Sequence, residues 1–364
     1  MMNLDHLATT SGGWLSAMGP DSDIVVSTRV RLARNLATFP FSSRASAHQK
    51  SEIEQILKER LGQIDLKVPL EYIPLAAMPP LDRQFLVERQ LVSRELVGGE
   101  GARGVAFAPD ETVSVMVNEE DHLRMQVMRS GLALESAWEC MDDLDNRLER
   151  RIAYAFHEEF GYLTACPTNV GTGMRASIML HLPALEYTRQ SEQVFRALQK
   201  IHLEVRGLYG EGSRASGHFY QISNQVTLGK NEETILKDIQ GVIPAVIRYE
   251  KDAREAWSRS DQVALKERIR RALETLRTAT MMTSEEAMEL LSLVRLGVTM
   301  DFVDELDLPV LNQLFIHTQP AHLQKLAGRP LDSEQRNAAR ARYLQARLEG
   351  KGPEATGIDD ESLA

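Results

Sequence analysis

The chain of 364 residues changes its periodicity near residue 258, and that change constrains the architecture more than any other feature. Ahead of it, β-branched or alternating runs predict strands at 23–28 (DIVVST), 112–117 (TVSVMV, half-buried and ending at Asn118), 178–182 (IMLHL, ended by Pro183) and 218–228. Apolar residues at helical spacing lie between them, at 48–61, 137–160 and 193–204. From 258 to 349 the pattern is helical throughout. Thr283 with Glu286 forms a capping box before Met288, Leu290, Leu291 and Val294, and Asp332 with Gln335 marks another helix start. The apolar stripe at 290–294 exceeds what so small a unit needs for itself and predicts a dimer. The organisation is a polar, Gly-rich lead-in, a mixed α/β domain, an all-helical domain and an acidic end (GKGPEATGIDDESLA) expected to be disordered.

Apolar residues at 43% and charged residues at 26% are ordinary for a globular protein. A net charge of −10 argues against broad nucleic-acid binding. No window holds eighteen consecutive apolar residues, so no membrane helix is expected. The opening MMNLDHLATTSGGW does not read as a secretory signal, and two cysteines, Cys140 and Cys166, suit a reducing cytoplasm.

Four segments carry residues suited to chemistry. Arg29 and Arg31 share one face of an extended segment, and two planar guanidinium forks suit a polyphosphate; a pair of surface arginines has the same pattern. Arg34 lies one step off it and reads as structural. In 118–124 (NEEDHLR), Glu119, Glu120 and Asp121 follow a strand, where carboxylates can hold a cation, carry a proton or coordinate magnesium. They equally suit an acidic helix cap, with Arg124 as a helical ion-pair partner of Glu120. Cys166 precedes a proline in a loop with Gly171 and Gly173, where a nearby guanidinium would favour its thiolate; Cys140 reads as an inert helix residue. Residues 205–214 (VRGLYGEGSR) form a Gly-rich loop whose amides can approach a phosphate. No Walker motif and no protein-kinase HRD or DFG set is present.

DIVVSTRVRLARN, NEEDHLR, FGYLTACPTNVGTGMRAS and VRGLYGEGS resemble the phosphagen (guanidino) kinase family in order and spacing, over about 23–228. VRGLYGEGS, YQISNQVTLG and FIHTQPAHLQ look closest to its bacterial branch, which phosphorylates arginine in proteins. Small-molecule members carry a helical domain ahead of the STRVR strand; the bacterial branch instead carries a helical domain after the catalytic one. The resemblance implies an α+β fold, in which a catalytic domain with a mainly antiparallel sheet flanked by helices is followed by a small all-helical domain. The implied bounds are 1–22 for the lead-in, 23–254 for the catalytic domain, 258–349 for a helical dimerisation and phosphoarginine-binding domain, and 350–364 for the tail. ATP would be held by Ser27, Thr28, Arg29, Val30, Arg31, Gln90, Arg124, Arg175, Ala176, Ser177, Ile178, Met179, Arg206, Gly207, Leu208, Tyr209 and Gly210, with Mg2+ carried by its phosphates and no metal ligand from the protein. Glu120 would orient the acceptor guanidinium and act as base, Glu211 would be the second carboxylate, and Cys166 would sit beside the guanidinium. Small-guanidino kinases have an arginine where Tyr209 stands and an acid where Arg214 stands, which favours protein substrates with exposed arginines. The branch's RDxxRA phosphoarginine pocket reads here Arg336-Asn337-Ala338-Ala339-Arg340-Ala341, with one acid lost. The implied partners are a zinc-containing activator protein, a Clp protease system and a heat-shock transcriptional repressor as substrate, in bacterial stress response. A kinase of free arginine and a non-catalytic phosphoarginine-binding adaptor are the alternatives.

Overall fold

A computed structural model describes residues 4–66, 68–207 and 216–353. Leu208, Tyr209, Gly210, Glu211 and Arg214, and the acidic end from 354, lie outside the described residues. The strands are β1 (Val25–Arg34), β2 (Glu71–Pro74), β3 (Gly104–Phe107), β4 (Val113–Val117), β5 (Leu123–Ser130), β6 (Phe156–His157), β7 (Gly161–Tyr162), β8 (Met174–His181), β9 (Leu203–Gly207) and β10 (Phe219–Asn224). β6 pairs with β7, and the other eight form one antiparallel sheet in the order β2-β3-β4-β5-β1-β8-β10-β9. The helices are α1 (Leu4–Thr9), α2 (Ala47–Gly62), α3 (Pro80–Glu88), α4 (Arg94–Gly98), α5 (Leu134–Glu149), α6 (Pro183–Tyr187), α7 (Ser191–Lys200), α8 (Glu232–Thr278), α9 (Ser284–Thr299), α10 (Leu308–His317), α11 (Pro320–Leu326) and α12 (Ser333–Leu348). An antiparallel sheet flanked by helices and followed by a helical region is the fold class the sequence implies.

Alternation along the strands gives the sheet two faces. On one, Val30, Leu32, Val115, Val127, Ile178 and Ile222 are buried with the apolar sides of α2, α5 and the first half of α8. The other face carries polar and basic residues, and at one end the helical region packs on it. No described helix is long and apolar enough to cross a membrane.

Several elements differ from the sequence expectation, each for a tertiary reason. β1 and β8 run on through their arginines because both have strand partners on either side. β4 is wholly buried, not half-buried, since it lies inside the sheet. The helix expected to reach 160 ends at Glu149: Tyr154 bridges Leu36, and the Ala155 N–H donates to the Asn35 carbonyl at 2.8 Å, which holds this stretch extended. The helix expected to reach 204 stops at Lys200, and the residues beyond join the sheet as β9. The lead-in docks: Leu7 and Ala8 pack with Phe85, Leu86 and Ala321, and Trp14 and Leu15 with Met128 and Ile316. α8 passes unbroken through 254–258 and breaks at Asp261, whose carboxylate accepts the Ala264 N–H at 3.0 Å. Both capping boxes, Thr283 with Glu286 and Asp332 with Gln335, form. Leu291 and Val294 are buried within the chain itself, so that stripe is not free for a second copy.

Two buried charges tie the helical region to the sheet. Arg295 of α9 donates to the carbonyls of Ser22 (2.8 Å) and Asp23 (3.0 Å), to His181 Nδ1 (2.9 Å) and to Asn312 Oδ1 (3.2 Å). Burial pushes its pKa down to about 9, which leaves it cationic at neutral pH. Glu88, closing α3, accepts the Ala321 and His322 N–H groups at 2.9 and 2.8 Å and so caps α11. Burial raises its pKa to about 7 against the pull of those amides and of Arg340.

Arg295→Met keeps the bulk but leaves the carbonyls of Ser22 and Asp23 without a donor in a dry site. Each orphaned acceptor costs about 1–3 kcal/mol. The variant is expected to lose about 2–4 kcal/mol of stability in guanidinium chloride denaturation; an unchanged midpoint would mean that water reaches those carbonyls.

Candidate active site

Strand register assembles the site. Residues directly opposite each other in an antiparallel pair share a face. Arg29 faces Met128 and Ser177, Arg31 faces Gln126 and Arg175, and Ala33 faces Arg124. Gln221 faces Met179 and Arg206. Arg29, Arg31, Arg124, Arg175 and Arg206 therefore meet on one face, although the sequence scatters them over 177 positions between Arg29 and Arg206. They line an open basin together with Gln90, Arg94, Glu120, Cys166 and Gln221.

Each guanidinium is aimed. Arg29 donates to Gln221 Oε1 at 2.7 Å. Gln90, with a left-handed φ of 61°, lies beside it, and its carbonyl accepts Gln126 Nε2 at 2.7 Å. Arg124 pairs with Glu119 at 2.5 Å, and the Ser93 hydroxyl donates to the same carboxylate. Glu204 holds both Arg175 and Arg206, the latter at 2.7 Å, and Ser223 Oγ accepts from Arg175 at 3.0 Å. Arg31 Nε has no acceptor among the described residues.

The electrostatics follow from crowding. Burial, then the charges of Arg124 and Arg175, lowers the pKa of Arg29 to about 9. Burial and the neighbouring guanidiniums push Arg31 well down too. For Arg124 the burial penalty is outweighed by Glu119, and its pKa rises. The basin is thus a focused positive field in which an anion relieves repulsion already present.

The three acids take three directions. Glu119 is spent on Arg124. Asp121, buried, accepts the Asn35 amide at 2.6 Å and the Ala165 N–H at 2.7 Å, and so fixes the loop that carries Cys166. Glu120 stands exposed at the rim with no hydrogen bond among the described residues, and burial of its inner side with the charges of Asp121 and Glu119 raises its pKa. Arg124 opens a strand, so the helical pairing with Glu120 does not arise, and no helix follows for the acids to cap. His122 is internal: its Nδ1 accepts the Leu36 N–H at 3.0 Å and its Nε2 meets the Pro40 carbonyl at 2.9 Å. Cys166 lies at the same rim, and its Sγ meets Thr168 Oγ1 at 3.0 Å.

Not all the sequence candidates face the basin. Ser27, Ser177 and Met179 line an adjoining cavity. Thr28, Val30, Ala176 and Ile178 point to the opposite face, where the Thr28 hydroxyl donates to the Gly131 carbonyl at 2.7 Å. Gly207 ends β9 beside Arg206. Arg340 does not line the basin; it is 2% exposed and donates to the carbonyls of Thr318 and Met282, both at 2.8 Å, and to Asn337 Oδ1 at 2.9 Å. Arg336 donates to the Leu331 carbonyl at 2.7 Å, and Ala341 is buried. Arg336 and Arg340, four residues apart on α12, are thus both engaged with carbonyls of the chain itself. Sequence reasoning missed Gln126, Glu204, Gln221 and Arg94. Gln126 and Glu204 each lie two residues from an arginine of the site, a period-two signal that was available; Gln221 and Arg94 carry none.

Residues 52–253 match the family model described as ATP:guanido phosphotransferase, C-terminal catalytic domain, and 262–357 match protein-arginine kinase McsB C-terminal domain. A protein-arginine kinase of Symbiobacterium thermophilum is 46% identical over 338 residues, covering 92% of this chain and 96% of its own length. Another, from Halothermothrix orenii, is 43% identical over 347 residues, covering 95% and 97%. Among solved structures, the duplicated taurocyamine kinase from Schistosoma mansoni with bound transition state analog components aligns with a TM-score of 0.60 at 29% identity, over 65% of this chain and 34% of that one. Lombricine kinase aligns with a TM-score of 0.57 at 22% identity, over 67% and 71%, and shows the shared fold. The chain belongs to the protein-arginine kinase family of ATP:guanido phosphotransferases.

Proposed function

We propose that this chain transfers the γ-phosphoryl group of ATP to arginine side chains of proteins. The observation that carries this reading is the convergence of five guanidiniums on one sheet face, bordered by a carboxylate with no hydrogen-bond partner among the described residues. Phosphoryl transfer needs charge neutralisation and alignment with little covalent help. Arg29, Arg31, Arg124, Arg175 and Arg206 bind the triphosphate and hold its γ-phosphorus toward the rim. A guanidinium is protonated below a pKa of about 12, so its nitrogen becomes nucleophilic only as a proton leaves. Glu120 grips the acceptor and takes that proton as the P–N bond forms and the P–O bond to ADP breaks. Cys166, on the loop held by Asp121, borders the same spot, and Glu211 is proposed as a second carboxylate. Magnesium would be carried by the ATP phosphates, with no ligand proposed from the protein, and would supply charge neutralisation there. The exposed rim admits an arginine carried on a protein surface.

By the same family likeness we propose a cytoplasmic homodimer in bacterial stress response, with a zinc-containing activator, a Clp protease system and a heat-shock repressor as partners. On that likeness, the motif at 336–341 would bind phosphoarginine only after Arg340 released its internal carbonyls.

Arg29→Ala or Arg175→Ala is expected to weaken ATP binding about tenfold or more in calorimetric titration, with circular dichroism unchanged, since a charge-assisted hydrogen bond is worth about 1.5–3 kcal/mol. Unaltered affinity in a folded variant removes the arginines from the nucleotide site. Incubation of an arginine-rich protein with Mg-ATP, followed by mass spectrometry at neutral pH, is expected to show phosphoarginine, and free arginine is expected to be a poor acceptor; the reverse preference would overturn the choice of substrate. Glu120→Gln is expected to lower kcat by about 10²–10⁴. Because the pKa of Glu120 is raised and the carboxylate is the active form, the wild-type rate falls as pH drops through a midpoint above that of an ordinary glutamate. A Glu120→Gln profile with the same acid limb would show that another group is the base.

A further inference from the structure

The loop that carries Cys166 is joined to the small hairpin outside the main sheet. In that hairpin Phe156 stands opposite Tyr162 and His157 opposite Gly161. β7 then meets the loop. The Tyr162 N–H donates to the Gly171 carbonyl at 2.8 Å, and the Gly171 N–H donates back to the Tyr162 carbonyl at 3.3 Å. The backbones approach so closely that a Cβ on Gly161 would stand 2.6 Å from the Gly171 carbonyl oxygen, and one on Gly171 would stand 2.4 Å from that of Thr227. Thr227 Oγ1 donates to the carbonyls of Thr168 and Val170 at 2.9 and 2.7 Å. From beneath, the Arg34 guanidinium, paired with Asp145 at 2.6 Å, lies 3.5 Å from the Tyr162 ring centre. Hairpin and loop are thus fixed to each other, and Cys166, Thr168 and Asn169 of the loop line the basin.

The outer surface of this unit is apolar. Phe156 is 57% exposed, Phe160 44% and Leu228 49%, and none of the three joins a hydrophobic core. They form one strip, because a Cβ on Gly171 would lie 2.9 Å from the Leu228 Cα, and Gly171 packs against Gly161 beside Phe160. The rings are held: Phe160 stacks on His157 with centroids 4.9 Å apart, and Phe156 meets Tyr162 edge to face at 5.3 Å. Glu158 and Glu159, both exposed, occupy the turn between them. Arg150 and Arg151, which follow α5, are the nearest basic residues in sequence, and Arg151 turns back to the Arg147 carbonyl at 3.0 Å.

We infer that this strip docks the polypeptide flanking the acceptor arginine of a protein substrate, and that it favours an apolar or aromatic residue a few positions from that arginine. The inference rests on the protein-arginine kinase reading. An arginine in a polypeptide brings its neighbours to the rim with it, and they need a surface to lie on. Cys166 is four residues from Tyr162, so the hairpin begins within about 14 Å of the rim. An extended substrate segment covers that span in about four positions. Aromatic side chains that meet an aromatic partner gain more than their buried area alone supplies. Charge selects the same occupant. The basin is positive, whereas Glu95 and Glu120 at the rim and Glu158 and Glu159 on the hairpin offer the opposite sign to a segment that carries arginine. A second copy of this chain, with a net charge of −10, brings like charge to those glutamates.

The test uses short peptides that each hold a single arginine. In one series a phenylalanine is moved through the positions on both sides of it; in the reference peptide serine takes its place. With Mg-ATP the full chain is expected to prefer a phenylalanine peptide about three- to tenfold in kcat/KM, through KM. Phe156→Ser combined with Phe160→Ser is expected to abolish that preference, while the serine peptide is phosphorylated and Mg-ADP is bound as in the wild type. Should the double variant lose its folded circular dichroism, Phe160→Ser alone, which lies outside both strands of the hairpin, carries the same comparison. A wild type indifferent to phenylalanine at every position, or a variant that keeps the preference, overturns the inference. So does an equal loss on both kinds of peptide, which would mean that the hairpin only shapes the Cys166 loop. A lower sedimentation coefficient in the variant would show that the strip covers another copy, and overturns it as well. Phosphorylation of an arginine-rich protein but of none of the peptides overturns the inference alone; phosphorylation of neither overturns the kinase reading and this inference with it.

Discussion

The arginines of the basin repel one another, and much of the surrounding structure serves to hold them together regardless. An extended chain in a paired ladder cannot swing a side chain away from its neighbours, and β1, β5, β8 and β9 each commit at least one guanidinium to the same face. Glu119 and Glu204 offset three of the five charges, and Gln221 orients a fourth. Arg31 is left with a buried Nε that no acceptor among the described residues meets. Burial first, and the neighbouring guanidiniums after it, lower the pKa values of Arg29 and Arg31, and an anion in the basin would offset both.

The turn before β5 solves a second problem, placing three adjacent acids in three environments. Asn118 adopts a left-handed φ of 58°, which asparagine tolerates, and its amide donates to the carbonyls of Lys50 and Ala102 at 2.8 Å each. From that fixed point Glu119 turns to the arginines, Glu120 to the rim and Asp121 to the loop of Cys166. The division of labour is geometric, since the three carboxyls are chemically alike.

What the sequence reveals and what it conceals follow from how local each interaction is. The capping boxes at Thr283 and Asp332 are legible because three residues contain the whole interaction. The shared face of Arg29 and Arg31 is legible for the same reason, since alternation is a property of one strand. The family likeness extends this to Arg124, Arg175 and Arg206 without saying how they meet. The end of α5 at Glu149 is not legible, because the bridge between Tyr154 and Leu36 spans more than a hundred positions and overrides local helix preference. Nor is the inward turn of Arg340, which answers carbonyls at Met282 and Thr318 on other elements. Leu291 and Val294 show the same limit: an apolar stripe announces burial but not what covers it.

The parity of the strands has a consequence for how a protein of this kind can vary. A slip of β1 by one residue against both its partners would turn Arg29 and Arg31 into the apolar layer beneath and bring Val30 and Leu32 up into the basin. No substitution elsewhere restores such an exchange. The strands that carry the site therefore accept a change of odd length only where a bulge absorbs it, as the register shift between Val25 and Ser27 does in β1, whereas the turns that join them carry no parity and can grow or shrink. Divergence among proteins with this sheet is channelled into connections and termini, and the spacing within β1, β5, β8 and β10 acts as a fixed frame on which side chains may change but not shift.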